Sequence, residues 1–181
     1  MSTRSMIAIQ YGDGKVDGIY CHDSGYVDNN GRIIQDNYQD LAKTKRLIDL
    51  GAISKLGPSP DQDPAVTKYG FLWDSDEYMS LTWDEQTKIW NSMTGTMAYH
   101  RDRGERLMIG HYDGTRGLKY RARYVGAEYI YLFKQDKETG EWSWRVMTYD
   151  EGEDEGLKPR RWYSLKQRIR VLDRMKQGQK A

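Results

Sequence analysis

Two short segments of alternating residues, separated by turn residues, open the chain. Residues 4–11 alternate between two faces, with Ile7, Ile9 and Tyr11 on one of them. The residues Tyr11-Gly-Asp-Gly-Lys15 follow, and Asp-Gly favours a tight turn because it tolerates positive φ. Residues 16–21 then predict a returning strand. The chain is therefore expected to begin with an antiparallel β-hairpin and to contain an antiparallel sheet.

The rest of the chain mixes helical and extended patterns. Three helices are predicted: 32–51 with a break near Asp40, 83–93 after the capping box at Thr82 to Glu85, and the residues from Ser164 onwards. Strands are predicted at 96–100, 107–112, 129–135 and 141–149, with 129–135 central because both of its faces are apolar. Residues 115–126 fit either pattern. This order predicts an α+β domain, with a mostly antiparallel sheet, two or three helices packed on it and a basic C-terminal helix.

Charge is balanced overall but not along the chain. The sequence holds 28 basic and 27 acidic residues, yet residues 158–181 carry nine basic side chains and one acidic. We expect residues 1–157 to form one domain, with a proline-rich loop near 57–66, and residues 158–181 to form a basic helix that packs on it or extends from it. An acidic segment precedes this helix and includes Glu151, Glu153, Asp154 and Glu155.

The sequence lacks the signals of several function classes. No apolar run approaches the ~20 residues of a membrane span, and residues 1–11 have no apolar stretch of signal-peptide length. A single cysteine, Cys21, cannot form an internal disulfide, which favours a reducing cytoplasm. The sequence has no phosphate-binding P-loop, no dinucleotide fingerprint and no nucleophile elbow. We therefore expect no membrane partner and no cofactor.

The histidines and the cysteine are weak candidates for chemistry. His22, His100 and His111 each lie near an aspartate in sequence, but no spacing matches a metal-ligand motif, and no metal site is predicted. Cys21 precedes His22, and adjacent residues on a strand point to opposite faces. A small buried side chain is therefore the preferred interpretation of Cys21.

The run from Tyr99 to Glu105 is the densest cluster of ionisable groups. Arg101 and Arg103 could form a fork for a phosphate or carboxylate ligand. Asp102 and Glu105 could instead neutralise them, and a structural ion-pair network is the favoured alternative.

The C-terminal helix offers a second charged surface. Its stripe of Lys166, Arg170 and Arg174, with Arg160 and Arg161 before it, could contact the phosphates of a nucleic acid. The more common alternative is a docked amphipathic helix with a solvated basic face. No helix-turn-helix, zinc-finger or RNA-recognition signature accompanies the stripe.

Two stretches carry a resemblance to a known group. The opening residues Met1-Ser-Thr-Arg-Ser and the segment Gly18-Ile-Tyr-Cys-His22 through Gly25-Tyr26 form the first stretch, and Tyr99-His-Arg-Asp-Arg-Gly-Glu105 forms the second. Together with Leu47-Ile-Asp-Leu-Gly51, they resemble small accessory proteins of bacteriophages and prophages. The sequence departs from the group's pattern at Asp23-Ser24 and Val27-Asp28. The resemblance implies a viral accessory protein located in the host cytoplasm, and such proteins often inhibit restriction or CRISPR effectors.

These observations give three function hypotheses. The leading one is a non-enzymatic phage protein that binds and inhibits a host or defence protein that handles nucleic acid, with the acidic segment in a basic channel of that protein and the basic helix on the nucleic acid. The second is a small phosphate- or nucleotide-directed enzyme, and the third is a nucleic-acid-binding protein. A homodimer is a further expectation for a small domain rich in aromatic residues. The candidate binding residues outside the two charged segments are His22, Asp23, Tyr26, His100, Arg101, Asp102, Arg103 and Glu105.

Overall fold

The structure, a computed structural model, describes residues 2–149 and 157–178. One mixed sheet organises it, with strand order β4-β3-β2-β1-β6-β7-β8, and β5 pairs with β2 beside this path. The strands are β1 Ser5–Gln10, β2 Val16–Cys21, β3 Ile53–Lys55, β4 Met97–Ala98, β5 Gly110–Tyr112, β6 Tyr129–Gln135, β7 Trp142–Thr148 and β8 Tyr163–Ser164.

Eight α-helices accompany the sheet in the described residues. They are α1 Arg32–Asn37, α2 Leu41–Ile48, α3 Pro64–Tyr69, α4 Asp76–Met79, α5 Trp83–Ser92, α6 Tyr99–Arg103, α7 Thr115–Tyr124 and α8 Leu165–Gly178. A π-helical turn over Val27–Gly31 precedes α1, and a 3₁₀ turn over Leu72–Asp74 lies between α3 and α4. None of the described helices has the length and apolar character that crossing a membrane requires.

Strand pairing confirms the predicted α+β class with a mostly antiparallel sheet. The β1–β2 hairpin is antiparallel, with Ser5 opposite Cys21, and Gly14 adopts a φ of 89° in its turn. The β6–β7 pair is also antiparallel. Two pairs are parallel, β1 with β6 and β2 with β3. Strand β1 lies in the middle of the sheet, between β2 and β6, and both of its faces are buried.

The two faces of β1 lead to two separate cores. Ile7 and Ile9 pack into a core that α1, α2 and α8 cover. Met6 and Ala8 point to the opposite face, which α7 covers with Leu118 and Ala122. Because successive strand residues point to opposite faces, the sheet is a central layer with three helices on one side and one on the other.

The C-terminal helix α8 packs on the three-helix side. Leu165 and Leu172 are buried in the core that contains Ile7 and Ile9. Arg32 of α1 pairs with Asp173 at 2.7 Å, and Lys176 pairs with Asp28 at 2.6 Å. These ion pairs join the second half of α8 to the segment that begins α1.

Residues 61–95 form a small helical module with a core of its own. Phe71, Leu72 and Tyr78 are buried at its centre. Asp63 caps α3 and also accepts hydrogen bonds from the backbone N–H groups of Thr94 and Gly95. A Cβ added to Gly95 would lie 2.5 Å from the backbone nitrogen of Asp63, so the two chain ends of the module touch. The predicted proline-rich loop is therefore a hydrogen-bonded connection, and Pro64 begins α3.

The break predicted near Asp40 in the 32–51 helix is present, because α1 and α2 are separate helices and Asp40 caps the second of them. Two strand predictions need correction. The strand predicted at 96–100 is only β4, because α6 begins at Tyr99 directly after it. The strand predicted at 107–112 is limited to β5, residues 110–112.

Candidate nucleic-acid interface

Helix α7 presents a strongly basic surface on its side of the sheet. Leu118 and Ala122, one turn apart, are fully buried against the sheet, and burial of a leucine stabilises by about 2 kcal/mol. Because Leu118 and Ala122 face the sheet, the residues on the opposite face of α7 point outward. The helix contains four basic side chains and no acidic one, namely Arg116, Lys119, Arg121 and Arg123.

Two tyrosines lie on the outward face among these cations. Tyr120 and Tyr124 are 76% and 74% exposed, although tyrosine usually buries much of its ring. They are four residues apart and so lie on one side of the helix. The guanidinium carbon of Arg121 lies 5.3 Å from the centre of the Tyr124 ring. The helix therefore offers flat aromatic surfaces next to positive charge.

A groove of about 730 Å³ lies beside the C-terminal end of α7. Its floor is the sheet, where Arg4, Met6 and Tyr20 lie. The far wall is the segment 105–112, which includes β5. The side chain of Arg121 and that of Val125 line the near wall. Because α7 and the segment 105–112 both pack against β2, the groove lies between elements that the sheet holds in place.

The groove carries an excess of positive charge. Arg4, Arg106 and Arg121 line it, and none of the three forms a salt bridge with a residue in 2–149 or 157–178. Glu105 is the one acidic residue lining the groove in the described part of the chain, and it pairs with Arg103 at 3.2 Å. The field in the groove therefore favours an anionic ligand.

The tyrosines of the groove stay protonated at neutral pH. Burial raises the pKa of Tyr20, and the positive charge of Arg4 opposes this shift. Burial likewise raises the pKa of Tyr112, against the charge of Arg121. Neutral phenols can donate hydrogen bonds to phosphate oxygens but do not act as bases at this pH. The groove tyrosines can therefore act as hydrogen-bond donors.

His22 contacts one residue of this groove, and Asp23 does not line it. The Tyr20 hydroxyl and His22 Nδ1 are 2.9 Å apart, and Tyr20 lines the groove. The Ser54 hydroxyl lies 3.5 Å from the Asp23 carboxylate, and the Tyr99 N–H donates a hydrogen bond to the carbonyl oxygen of Ala52, just before β3. Strand β3 therefore lies between the predicted 22–26 and 100–105 segments and joins them. Tyr26 is on the other side of the sheet, against Tyr129.

His100 and the neighbouring arginines form hydrogen bonds and ion pairs within the chain. His100 Nδ1 lies 2.6 Å from the carbonyl oxygen of Glu105. Arg101 contacts Asp102 and the backbone carbonyls of Pro60 and Thr96. Arg103 instead pairs with Asp74 at 2.6 Å. The two arginines therefore do not form the predicted fork, because each holds a different part of the chain.

The predicted basic stripe on α8 is exposed but separate from the groove. Lys166, Arg170 and Arg174 are exposed, and so are Arg160 and Arg161. They belong to the three-helix side of the sheet or to the turn before β8, whereas the groove is on the α7 side. The predicted acidic interface, Glu151, Glu153, Asp154 and Glu155, lies outside the described residues.

Cys21 occupies a structural position. It is fully buried, and the side-chain amide of Asn30 contacts its sulfur at 3.3 Å. Burial raises the pKa of the thiol to about 12, so the nucleophilic thiolate is scarce at neutral pH. In the part of the chain that the structure describes, no group of three or more histidine, cysteine, aspartate or glutamate side chains could hold a metal ion.

The main residues of this surface were not predicted from the sequence. Arg4, Arg106, Arg116, Arg121 and Arg123 were not among the predicted site residues. A signal was present in the stretch 115–124, where four cations occur without an acid and two tyrosines are spaced by four residues. No protein-family model, curated protein or solved structure matches the chain. The case for a function therefore comes from the chemistry of these residues.

Proposed function

We propose that the protein binds single-stranded nucleic acid through α7 and the groove beside it. The observation that carries this proposal is the concentration of cations without salt-bridge partners in the described residues, next to the exposed rings of Tyr120 and Tyr124. Proteins that bind single strands combine a positive groove with aromatic rings on which bases stack. Both parts occur here on one side of the sheet.

The two parts have different tasks in this proposal. Arg4, Arg106 and Arg121 attract phosphates along the groove, and Arg116 and Arg123 extend the positive surface over α7. The tyrosine rings stack on bases, which a single strand exposes and a duplex hides. The protein therefore prefers single strands, with little dependence on sequence, because stacking tolerates every base.

A matched pair of double variants tests the location of the interface. Arg116→Gln with Arg123→Gln removes two exposed cations from α7, and Arg170→Gln with Arg174→Gln removes two from α8. We expect the α7 variant to bind a fluorescent 20-nucleotide strand at least tenfold more weakly in an anisotropy titration. The α8 variant has the same net charge change and should stay within about twofold of the wild type. Equal losses in both variants would contradict an interface on α7.

Tyrosine substitutions test whether bases stack on α7. Stacking contributes about 1–3 kcal/mol for each base, so Tyr120→Ala with Tyr124→Ala should weaken single-strand binding at least tenfold. Both side chains are mostly exposed, so the fold should tolerate their loss. The matched variants with phenylalanine keep the rings and should keep the affinity. A phenylalanine variant as weak as the alanine variant would exclude stacking as the cause.

Inhibition of a host or defence protein is a second candidate function. A separate observation favours it, namely the exposed side chains of Trp73, Met79 and Trp83 on the 61–95 module. Tryptophan and methionine are enriched at protein interfaces. A host protein that is inhibited through this surface should remain bound after nuclease treatment. Its binding should be lost with Trp83→Ala. Loss with the α7 double variant would instead assign the interaction to nucleic acid.

A further inference from the structure

Aromatic residues of the 61–95 module surround a second cavity, away from α7. The cavity has a volume of about 280 Å³, and we name it the tryptophan pocket. Its residues include Trp73, Tyr78, Trp83, Trp90 and Asp23. The ring centres of Trp73 and Trp90 are 5.1 Å apart, and Trp73 meets Tyr78 edge to face at 5.8 Å. Trp83 is 78% exposed at the mouth.

We infer that the tryptophan pocket binds an arginine side chain of a partner protein. The guanidinium group would lie against the indole rings, and the carboxylate of Asp23 would accept its hydrogen bonds. Arginine fits better than lysine because its planar group stacks on aromatic faces and can form two hydrogen bonds with one carboxylate. This inference concerns the surface of the second candidate function and does not depend on nucleic-acid binding.

The aromatic cluster already holds one cation of the chain itself. The ammonium nitrogen of Lys55 lies 4.0 Å from the centre of the Trp90 ring and donates a hydrogen bond to the carbonyl oxygen of Trp90. Cations are attracted to the negative face of an indole ring at such distances. This contact shows that an indole face of the cluster can lie against an ammonium group, although burial lowers the pKa of Lys55 to about 8. Trp83 and Trp73 extend the same kind of surface outward.

The charge around the pocket selects a cationic partner. Residues 61–95 contain seven acidic and two basic side chains. Asp76, Glu77 and Asp84 are exposed on α4 and α5, and none of them forms a salt bridge with a described residue. Like charges would repel the phosphates of a nucleic acid here. A basic segment of a protein is therefore the complementary occupant.

Asp23 places a carboxylate at the pocket. Its carboxylate accepts hydrogen bonds from the hydroxyl groups of Ser2 and Ser54, which fix its position without neutralising its charge. Ser24, the next residue, also lines the pocket and has a φ of 58°, a conformation that residues with side chains rarely adopt. A backbone hydrogen bond from the Asn30 N–H to the Ser24 carbonyl oxygen holds this segment in place beside the pocket.

A peptide titration followed by NMR tests this inference. The probe is a blocked peptide with three arginines separated by glycines, and its control contains citrulline, which keeps the shape of arginine without its charge. With the full chain labelled with ¹⁵N, we expect the indole signals of Trp73, Trp83 and Trp90 to shift saturably with the arginine peptide. The citrulline peptide should bind at least tenfold more weakly. Equal binding of both peptides would overturn the inference, and so would the absence of a saturable shift.

Substitutions assign the binding to the pocket. Trp83→Ala and Asp23→Asn should each weaken binding of the arginine peptide at least fivefold, whereas Tyr120→Ala, an equally exposed aromatic on α7, should leave it unchanged. If Asp23→Asn alters the fold, Trp83→Ala still tests the pocket, because the Trp83 side chain is mostly in solvent and its loss should not affect folding. Loss with Tyr120→Ala but not with Trp83→Ala would overturn the inference. A peptide that fails to bind would leave the two candidate functions open to their own tests.

Discussion

Asp102 shows how a residue that resembles a ligand-binding group can be a structural one. Its carboxylate is fully buried and accepts hydrogen bonds from the Ala98 N–H, the Arg101 guanidinium and the Gln62 amide. Burial by itself would raise the pKa of this group, but these donors outweigh burial and lower it. The sequence indicated that Asp102 and Arg101 could neutralise each other. It could not show that their partners are residues near 60 and 96.

Asp102→Asn should therefore destabilise the fold in a pH-dependent manner. Removing one partner of a buried ion pair costs about 3 kcal/mol, and we expect that loss at pH 7 in chemical denaturation. Because the folded pKa lies below the unfolded value of about 3.9, the wild-type carboxylate stabilises the fold above that value. This stability is lost as the pH falls through the folded pKa. The difference between the two proteins should shrink below about pH 4, and a constant difference from pH 7 to pH 3 would contradict this account.

At the scale of elements, local signals predict well and long-range pairing does not. The β1–β2 hairpin and the capping box of α5 were predicted because neighbouring residues determine them. Helix α7 could not be separated from a strand because tyrosine and arginine suit both, and its burial against the sheet decides. The parallel pairing of β1 with β6 joins residues more than 120 positions apart, and no local pattern specifies it. The groove depends on the pairing of β2 with β5, more than 90 positions apart, and on α7, so it could not be predicted either.

The capping box of α5 gives a prediction for a single element. The Thr82 hydroxyl accepts a hydrogen bond from the Glu85 N–H, and the Glu85 carboxylate accepts one from the Thr82 N–H. Thr82→Ala should cost about 1 kcal/mol. Since α5 has no fully buried residue, hydrogen exchange should accelerate mainly in residues 83–92. Ser80→Ala, outside the box, is the control and should leave this exchange unchanged. Acceleration throughout the sheet would show that α5 and the sheet unfold together.

At the scale of the whole molecule, a net charge of +1 conceals a spatial separation of charge. The cations of α7 and its groove lie on one side of the sheet, and the exposed carboxylates of the 61–95 module surround the tryptophan pocket. Charge along the sequence predicted a basic surface on the C-terminal helix. In the folded protein, two ion pairs, Arg32–Asp173 and Lys176–Asp28, join that helix to α1 and to the turn before α1. Two surfaces of opposite sign suit a protein that binds a nucleic acid and a basic protein at separate places.

The central claim, that α7 and its groove bind the phosphates of a single strand, is tested most directly by the salt dependence of binding. For single strands, the slope of log K against log salt concentration is about −0.7 for each phosphate contact. We predict a steep negative slope for the wild type, a slope about 1.4 shallower for Arg116→Gln with Arg123→Gln, and an unchanged slope for Arg170→Gln with Arg174→Gln. A wild-type slope near zero, or a slope that changes only in the α8 variant, would contradict the account.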